Sequence, residues 1–172
     1  MKKIIISLNQ SSVQRAIDEL KRYEKDLVRK TELLRQRVAT RIAWSASQGF
    51  STSLVDDVLN GDKRFANVDV TVNDDGDTTV VIASGNDAVF VEFGAGVYNN
   101  GNVGASPHPN GAELGFTIGS FGKGNGRKEI WAYYGQEGLM LTRGTPASMP
   151  MYRGAREACE QIAEIAREVF HS

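Results

Sequence analysis

Between Ser11 and Gly49 the sequence runs without a proline and with no glycine before Gly49 itself. Val13, Leu20, Leu27 and Leu34 recur every seven residues across it, and Ile17, Val38 and Ile42 fill the adjoining ridge. That spacing predicts one amphipathic helix. Ser11 and Gln14 stand as an S-x-x-Q capping box at its start, and Gly49 as a C-cap at its end. At 1.5 Å per residue such a helix is about 55 Å long, more than a domain of this size spans. Its apolar stripe must therefore be covered by other elements or by a neighbouring subunit. Arg15, Arg22 and Arg29 fall together on a basic face, suited to solvent or to an acidic partner.

The shorter elements follow from local signals. Ile4, Ile6 and Leu8 alternate as a short strand before the helix. SLVDDVLNG, residues 53 to 61, reads as a short helix with Ser53 as cap and Gly61 as stop. NVDVTVNDDGDTTVVIAS gives two alternating runs about Asp75-Gly76, a hairpin signal that sets Val72 against Thr79, Val70 against Val81 and Val68 against Ala83. The neighbouring Asp74, Asp75 and Asp77 lack the alternating spacing and closing glutamate of a calcium loop, so turn chemistry accounts for them. AVFVEFG, residues 88 to 94, reads as a third strand, and residues 128 to 135 and 137 to 144 as two more. Between Gly94 and Gly126 stand ten glycines, and only Glu113 and Lys123 carry charge. Residues 97–126 are expected to form a glycine-rich loop or arm.

TRGTPASMPMYRGA, residues 142 to 155, announces the last helix. Ser148 can cap it, and Pro150 suits a first turn that has no use for its missing N–H. Ala155, Ala158, Cys159, Ile162, Ala166, Val169 and Phe170 then form a close-packing stripe, with Arg153–Glu157 and Arg156–Glu160 as outer pairs. The expected fold is α+β in one domain, residues 1–172. A long N-terminal and a C-terminal helix pack on a small, mostly antiparallel sheet of four or five strands.

A formal net charge of −1 conceals an asymmetry: residues 1 to 48 carry 11 basic and 5 acidic side chains, residues 49 to 95 carry 2 and 9. Such polarity orients self-assembly or a nucleic-acid contact, or simply solvates a helix face. The single cysteine, Cys159, forms no internal disulfide and reads as a small core residue. MKKIIISL starts like a signal peptide, but its apolar run breaks at Ser7, and the expectation is a soluble, unexported chain.

No catalytic constellation stands out. His108 lies in a proline turn and His171 one residue from the end, neither beside a recognisable nucleophile. No pair of histidines or cysteines has zinc spacing. GFTIGSFGKG carries Gly122-Lys123 but has Gly124 where a phosphate loop requires serine or threonine. Glu92, a lone carboxylate in an expected strand, reads as an edge or interface residue. The chain is expected to be no enzyme and to use no cofactor or metal.

Two motifs together resemble the tail-completion, or neck, proteins of long-tailed bacteriophages. Val91-Glu92-Phe93-Gly94-Ala95 is similar to that family's V-E-F-G-T pattern, and Pro146 to Ala155 to its P-A-x-x-P-F-L-R-P-A approach to the last helix, with Gly154 in place of the second proline. The order of elements matches as well. The resemblance implies a structural virion protein, assembled in the bacterial cytoplasm. It would be a homo-oligomeric ring, by that resemblance a hexamer, at the head–tail joint. Its partners would be a connector or head-closure protein, a tail terminator or tail tube protein, and DNA threading the lumen without sequence readout or any membrane. The candidate interface comprises Arg15, Arg22, Arg29, Glu92, Phe93, Phe116, Ile118, Phe121, Met149, Met151, Tyr152 and Arg153. Alternatives are a tail-terminator or tail-tube ring subunit and, further off, a free-standing DNA-binding protein.

Overall fold

The computed structural model describes residues 7, 9–57, 62–96, 104–118, 129–135 and 138–171, and its fold is α+β. Helix α1 covers Gln10–Thr52, about 64 Å at 1.5 Å per residue. Its start is set by Asn9 rather than by Ser11. The Asn9 side chain accepts from the Ser12 N–H at 2.8 Å and from the Ser11 hydroxyl at 2.9 Å, while Gln14 turns outward to Asp18. Asparagine caps as well as serine, so the earlier residue takes the role. The helix also outruns Gly49. The hydroxyls of Ser51, Thr52 and Ser53 donate back to the carbonyls of Gln48 and Gly49, satisfying acceptors of the last turn.

Helix α3, Pro150–His171, lies antiparallel along the C-terminal half of α1. Its first turn sits on Gly49, where an added Cβ would come within 2.8 Å of Pro150. One turn on, Gly154 is buried with its missing Cβ 2.9 Å from the Ile42 carbonyl oxygen. Glu157 accepts from the Ser45 hydroxyl at 2.7 Å and from Arg41 at 2.8 Å, Arg37 reaches Glu168 at 3.2 Å, and Lys30 donates to the Phe170 carbonyl at 3.3 Å. The Ser45 hydroxyl, and after it Arg41, hold the Glu157 carboxyl below its usual range. Its contribution is therefore present above that range and fades as pH falls through the lowered value. The expected Arg153–Glu157 pair gives way to these contacts, whereas Arg156–Glu160 forms at 3.1 Å. Ala158 and Val169 are buried, but Cys159, Ile162 and Phe170 are exposed, so Cys159 is no core residue.

Strands β1 (Leu54–Asp57) and β2 (Asp62–Phe65) pair antiparallel where a short helix is expected. Ser53 is consumed as the C-cap of α1, and the burial alternates, Leu54 out and Val55 in. Strands β3 (Asp69–Asp74) and β4 (Thr79–Ser84) form the predicted hairpin in a register shifted by two, with Val72 opposite Val81 and Val70 opposite Ala83. The shift arises because the connection has four residues: Asp75 N donates to the Thr78 carbonyl, and the Asp75 carboxylate accepts from the N–H groups of Asp77 and Thr78. A shift of two keeps every side chain on its face. Arg35 of α1 grips this turn, donating to Thr79, to the carbonyls of Gly76 and Asp77, and to Asp74 at 3.1 Å. The Gln36 amide, the Gly76 N–H and Arg35 together hold Asp74 below the usual carboxylate range.

Residues 88–93 are a helix, α2 (Ala88–Phe93), and not a strand. The buried positions Ala88, Val91 and Glu92 fall at helical spacing while Val89 stays exposed, so tertiary burial overrides the β propensity of the valines and phenylalanines. Short strands β5 (Gly104–Ala105) and β6 (Thr117–Ile118) pair with each other, as do β7 (Trp131–Gly135) and β8 (Gly138–Thr142). The described strands thus form four two-stranded ribbons in place of one sheet. The expected strand at Ile4–Leu8 lies outside the described residues apart from Ser7. Ala46 and Phe50 of α1, Val55 of β1 and Val91 of α2 form the core, with Val70, Ala83 and Met151 packed against it.

Because the α1–α3 contact closes to backbone distance at Gly154, Gly154→Leu should lower stability by about 2 to 3 kcal/mol through overpacking. Thermal melting reads this, and a shift of under one degree would contradict the close crossing.

Candidate functional site

The two motifs of the resemblance meet as one joint. The Val91 carbonyl accepts from Ser148 N at 2.8 Å, and Ala95 and Thr145 exchange both backbone hydrogen bonds at 2.8 Å. At the crossing Gly94 has φ 78°, and an added Cβ would meet Ala147 N at 3.0 Å. Gly144 has φ 94°, and its Cβ would strike Gly96 at 2.4 Å. Glycine is needed at both positions on two counts, conformation and space.

Glu92 occupies the centre and is only 6% exposed. Its Oε2 accepts from Met151 N at 2.8 Å, and its Oε1 from Tyr152 N at 2.9 Å. Arg153 N donates to the Met149 carbonyl at 2.9 Å, which makes Met149 the cap position of α3 and Pro150 its first residue. A methionine side chain cannot accept those hydrogen bonds, and proline has no N–H to offer. The carboxylate of α2 therefore caps the second and third residues of α3 from across the fold, with its charge at the positive end of the helix. Ser148, expected as cap, instead ties its backbone N–H to Val91. Met149 sits at φ 56°, an uncommon conformation for a residue with a side chain.

His108 is the third partner. Its Nδ1 accepts from Asn110 N at 3.1 Å, so the ring proton lies on Nε2, which donates to Glu92 Oε1 at 3.2 Å. Both ring nitrogens are thereby engaged, and the ring is buried. The Ser106 hydroxyl donates to the Phe93 carbonyl and accepts from His108 N at 3.2 Å. Gly111 N donates to the His108 carbonyl, and Phe116 N to the Gly111 carbonyl. Phe93 stacks on Phe116 with ring centroids 4.1 Å apart and 7° between planes, and His108 meets the edge of Tyr152 at 5.3 Å. Residues 106–116, inside the expected glycine-rich arm, are thus fastened to the joint.

The joint gathers Glu92, Phe93, Phe116, Met149, Met151 and Tyr152 of the candidate interface. Met151 belongs to the core fringe and Tyr152 is half-buried. Arg153 is exposed on α3. Arg15, Arg22 and Arg29 are exposed far along α1, where Arg15 donates to the Ser11 carbonyl and Arg29 pairs with Asp26 at 2.8 Å. Ile118 lies in β6 opposite Gly104, and Phe121 lies outside the described residues. Reading Glu92 as a strand-edge carboxylate gives way with the strand itself. Sequence reasoning missed Ser106, His108, Gly94 and Gly144 as members of this joint. A histidine between Pro107 and Pro109 was the one visible signal.

Compared with family models, with curated proteins and with solved structures, the chain matches none.

Removing the carboxylate leaves two helix N–H groups and the His108 N–H without an acceptor, at about 1 to 3 kcal/mol for each buried donor. Glu92→Ala should therefore cost about 3 kcal/mol or more in urea unfolding. Glu92→Gln should cost less, because its remaining oxygen still accepts. A loss below 1 kcal/mol for Glu92→Ala would contradict the cap.

Proposed function

We propose that this chain is a non-enzymatic, ring-forming neck subunit of a long-tailed bacteriophage, joining the DNA-filled head connector to the tail, with DNA passing through the ring. The observation that carries the assembly part of this reading is the reach of α1. A compact chain of this length has a diameter of about 40 Å, whereas α1 runs about 64 Å. Beyond Lys30, where the end of α3 is met, the helix continues for 20 residues with Val13, Ile17, Leu20 and Leu27 exposed. Uncovered apolar surface of this extent is a feature of subunits, since monomers keep such patches small.

The neck role itself comes from the two motifs. Their interlocking around Glu92 supports treating them as one structural unit. Part of the opposite charge of helix and sheet is closed within the chain, by Arg35 on Asp74, while Arg15, Arg22 and Arg29 remain outward for an acidic neighbour. Among the described residues no helix is long and apolar enough to cross a membrane.

Particles produced without this protein should accumulate as separate DNA-filled heads and finished tails, and adding the purified protein should join them. Electron microscopy reads both states. Joined particles formed in its absence would overturn the neck role, and tails of altered length or missing tubes would assign the chain to the tail terminator or tail tube.

A further inference from the structure

The subunit carries two unlike apolar surfaces at opposite ends of α1. At one end, the helix face that packs on α3 and the β3–β4 hairpin continues past both, leaving Ile17, Leu20 and Leu27 exposed, Leu20 at 53%. At the other end, beyond Thr52, β1 and β2 hold Leu54 opposite Phe65, and β7 and β8 hold Tyr134 opposite Leu139. All four of those side chains are exposed, Phe65 at 66% and Tyr134 at 84%. The two ribbons share this end because Arg143, just past β8, holds Asp56 of β1, its backbone N–H donating at 2.6 Å. Leu20 and Thr52 are about 50 Å apart along the helix.

Charge follows the same division. Residues 10–30 carry six basic and four acidic side chains, a net of +2. Residues 54–65 carry three acidic and two basic, and residues 129–143 two acidic and one basic, a net of −1 each. Paired apolar groups rimmed by opposite charge are suited to meeting each other and ill suited to meeting their own kind.

We propose that the exposed side chains of Ile17, Leu20 and Leu27 on α1 dock on the β1–β2 and β7–β8 ribbons of a second copy of this chain, in a head-to-tail contact. Two different surfaces joined in this way repeat from copy to copy and close into a ring or extend as a filament. The inference takes from the ring reading only that copies of the chain associate, and it names the surfaces that do so.

The test uses two double variants of the full chain in sedimentation velocity, with wild type alongside. One disables the helix face, Leu20→Glu with Leu27→Glu. The other disables the ribbons, Phe65→Lys with Tyr134→Lys. All four positions are exposed, so both variants should melt near wild type. Each alone should be monomeric, with self-association weakened tenfold or more, about the effect of losing a hot-spot side chain. Mixed one to one, they should form dimers and stop there, because each supplies the surface the other lacks. A ribbon variant that still dimerises alone would mean that α1 faces meet each other, and a helix variant that still forms full assemblies would mean that α1 is not the contact. Wild type that stays monomeric at every concentration overturns the proposal as well. Should a variant melt early, cross-linking of Leu20→Cys to Phe65→Cys in a Cys159→Ser background replaces it, and absence of the disulfide-linked dimer counts against the contact. The joining of heads to tails is scored separately, so a head-to-tail oligomer that joins nothing rejects the neck role and leaves this contact standing.

Discussion

A carboxylate at the start of a helix it does not belong to organises this molecule. The first turn of α3 presents two part-buried N–H groups, from Met151 and Tyr152, and its own cap position holds a methionine. Glu92 supplies the missing acceptor, and by doing so it fixes where α3 begins relative to α2. The angle set there brings Gly154 to the backbone of α1 and lays α3 along it as far as Lys30. The same oxygen that takes Tyr152 N also takes His108, so residues 106–116 are held by the atom that starts the helix. Fold, loop and helix packing share one acceptor pair.

What could be read from the sequence was what repeats locally. Helix α1 announced itself through a seven-residue recurrence, the β3–β4 hairpin through alternation about Asp75-Gly76, and α3 through Pro150 and its apolar spacing. Strands β7 and β8 were visible for the same reason. The two segments misread, 53–61 and 88–94, are short, and their conformation is decided by what they are packed against. Val91 is buried on a helix because Phe50 and Met151 lie beside it. The register of the hairpin slipped because Asp75 uses its side chain to widen the turn, a choice that backbone alternation does not encode.

The joint was harder to foresee. Glu92 and Met151 are 59 residues apart, and a carboxylate satisfied by distant backbone carries no sequence pattern. Nothing in the sequence reading joined residues 91–95 to residues 146–155 in space; their contact is a finding of the structure. The joint is built for holding: both carboxylate oxygens and both ring nitrogens of His108 are engaged with the protein itself. The exposed apolar side chains lie elsewhere, at Leu20 and Leu27 of α1 and at Phe65 and Tyr134 of the ribbons, at positions where periodicity reveals an apolar side chain but not whether its own chain covers it.

Hydrogen exchange at two backbone amides tests the central role of Glu92 most directly. In the wild-type protein the N–H groups of Met151 and Tyr152 should be strongly protected, although both stand in the first turn of a helix, where amides usually exchange fast. In Glu92→Ala they should exchange about a hundredfold faster, together with the amide of Asn110, while the amides around the buried Ala46 of α1 keep most of their protection. Equal protection of Met151 and Tyr152 in the two proteins would show that α3 is started by something other than this carboxylate.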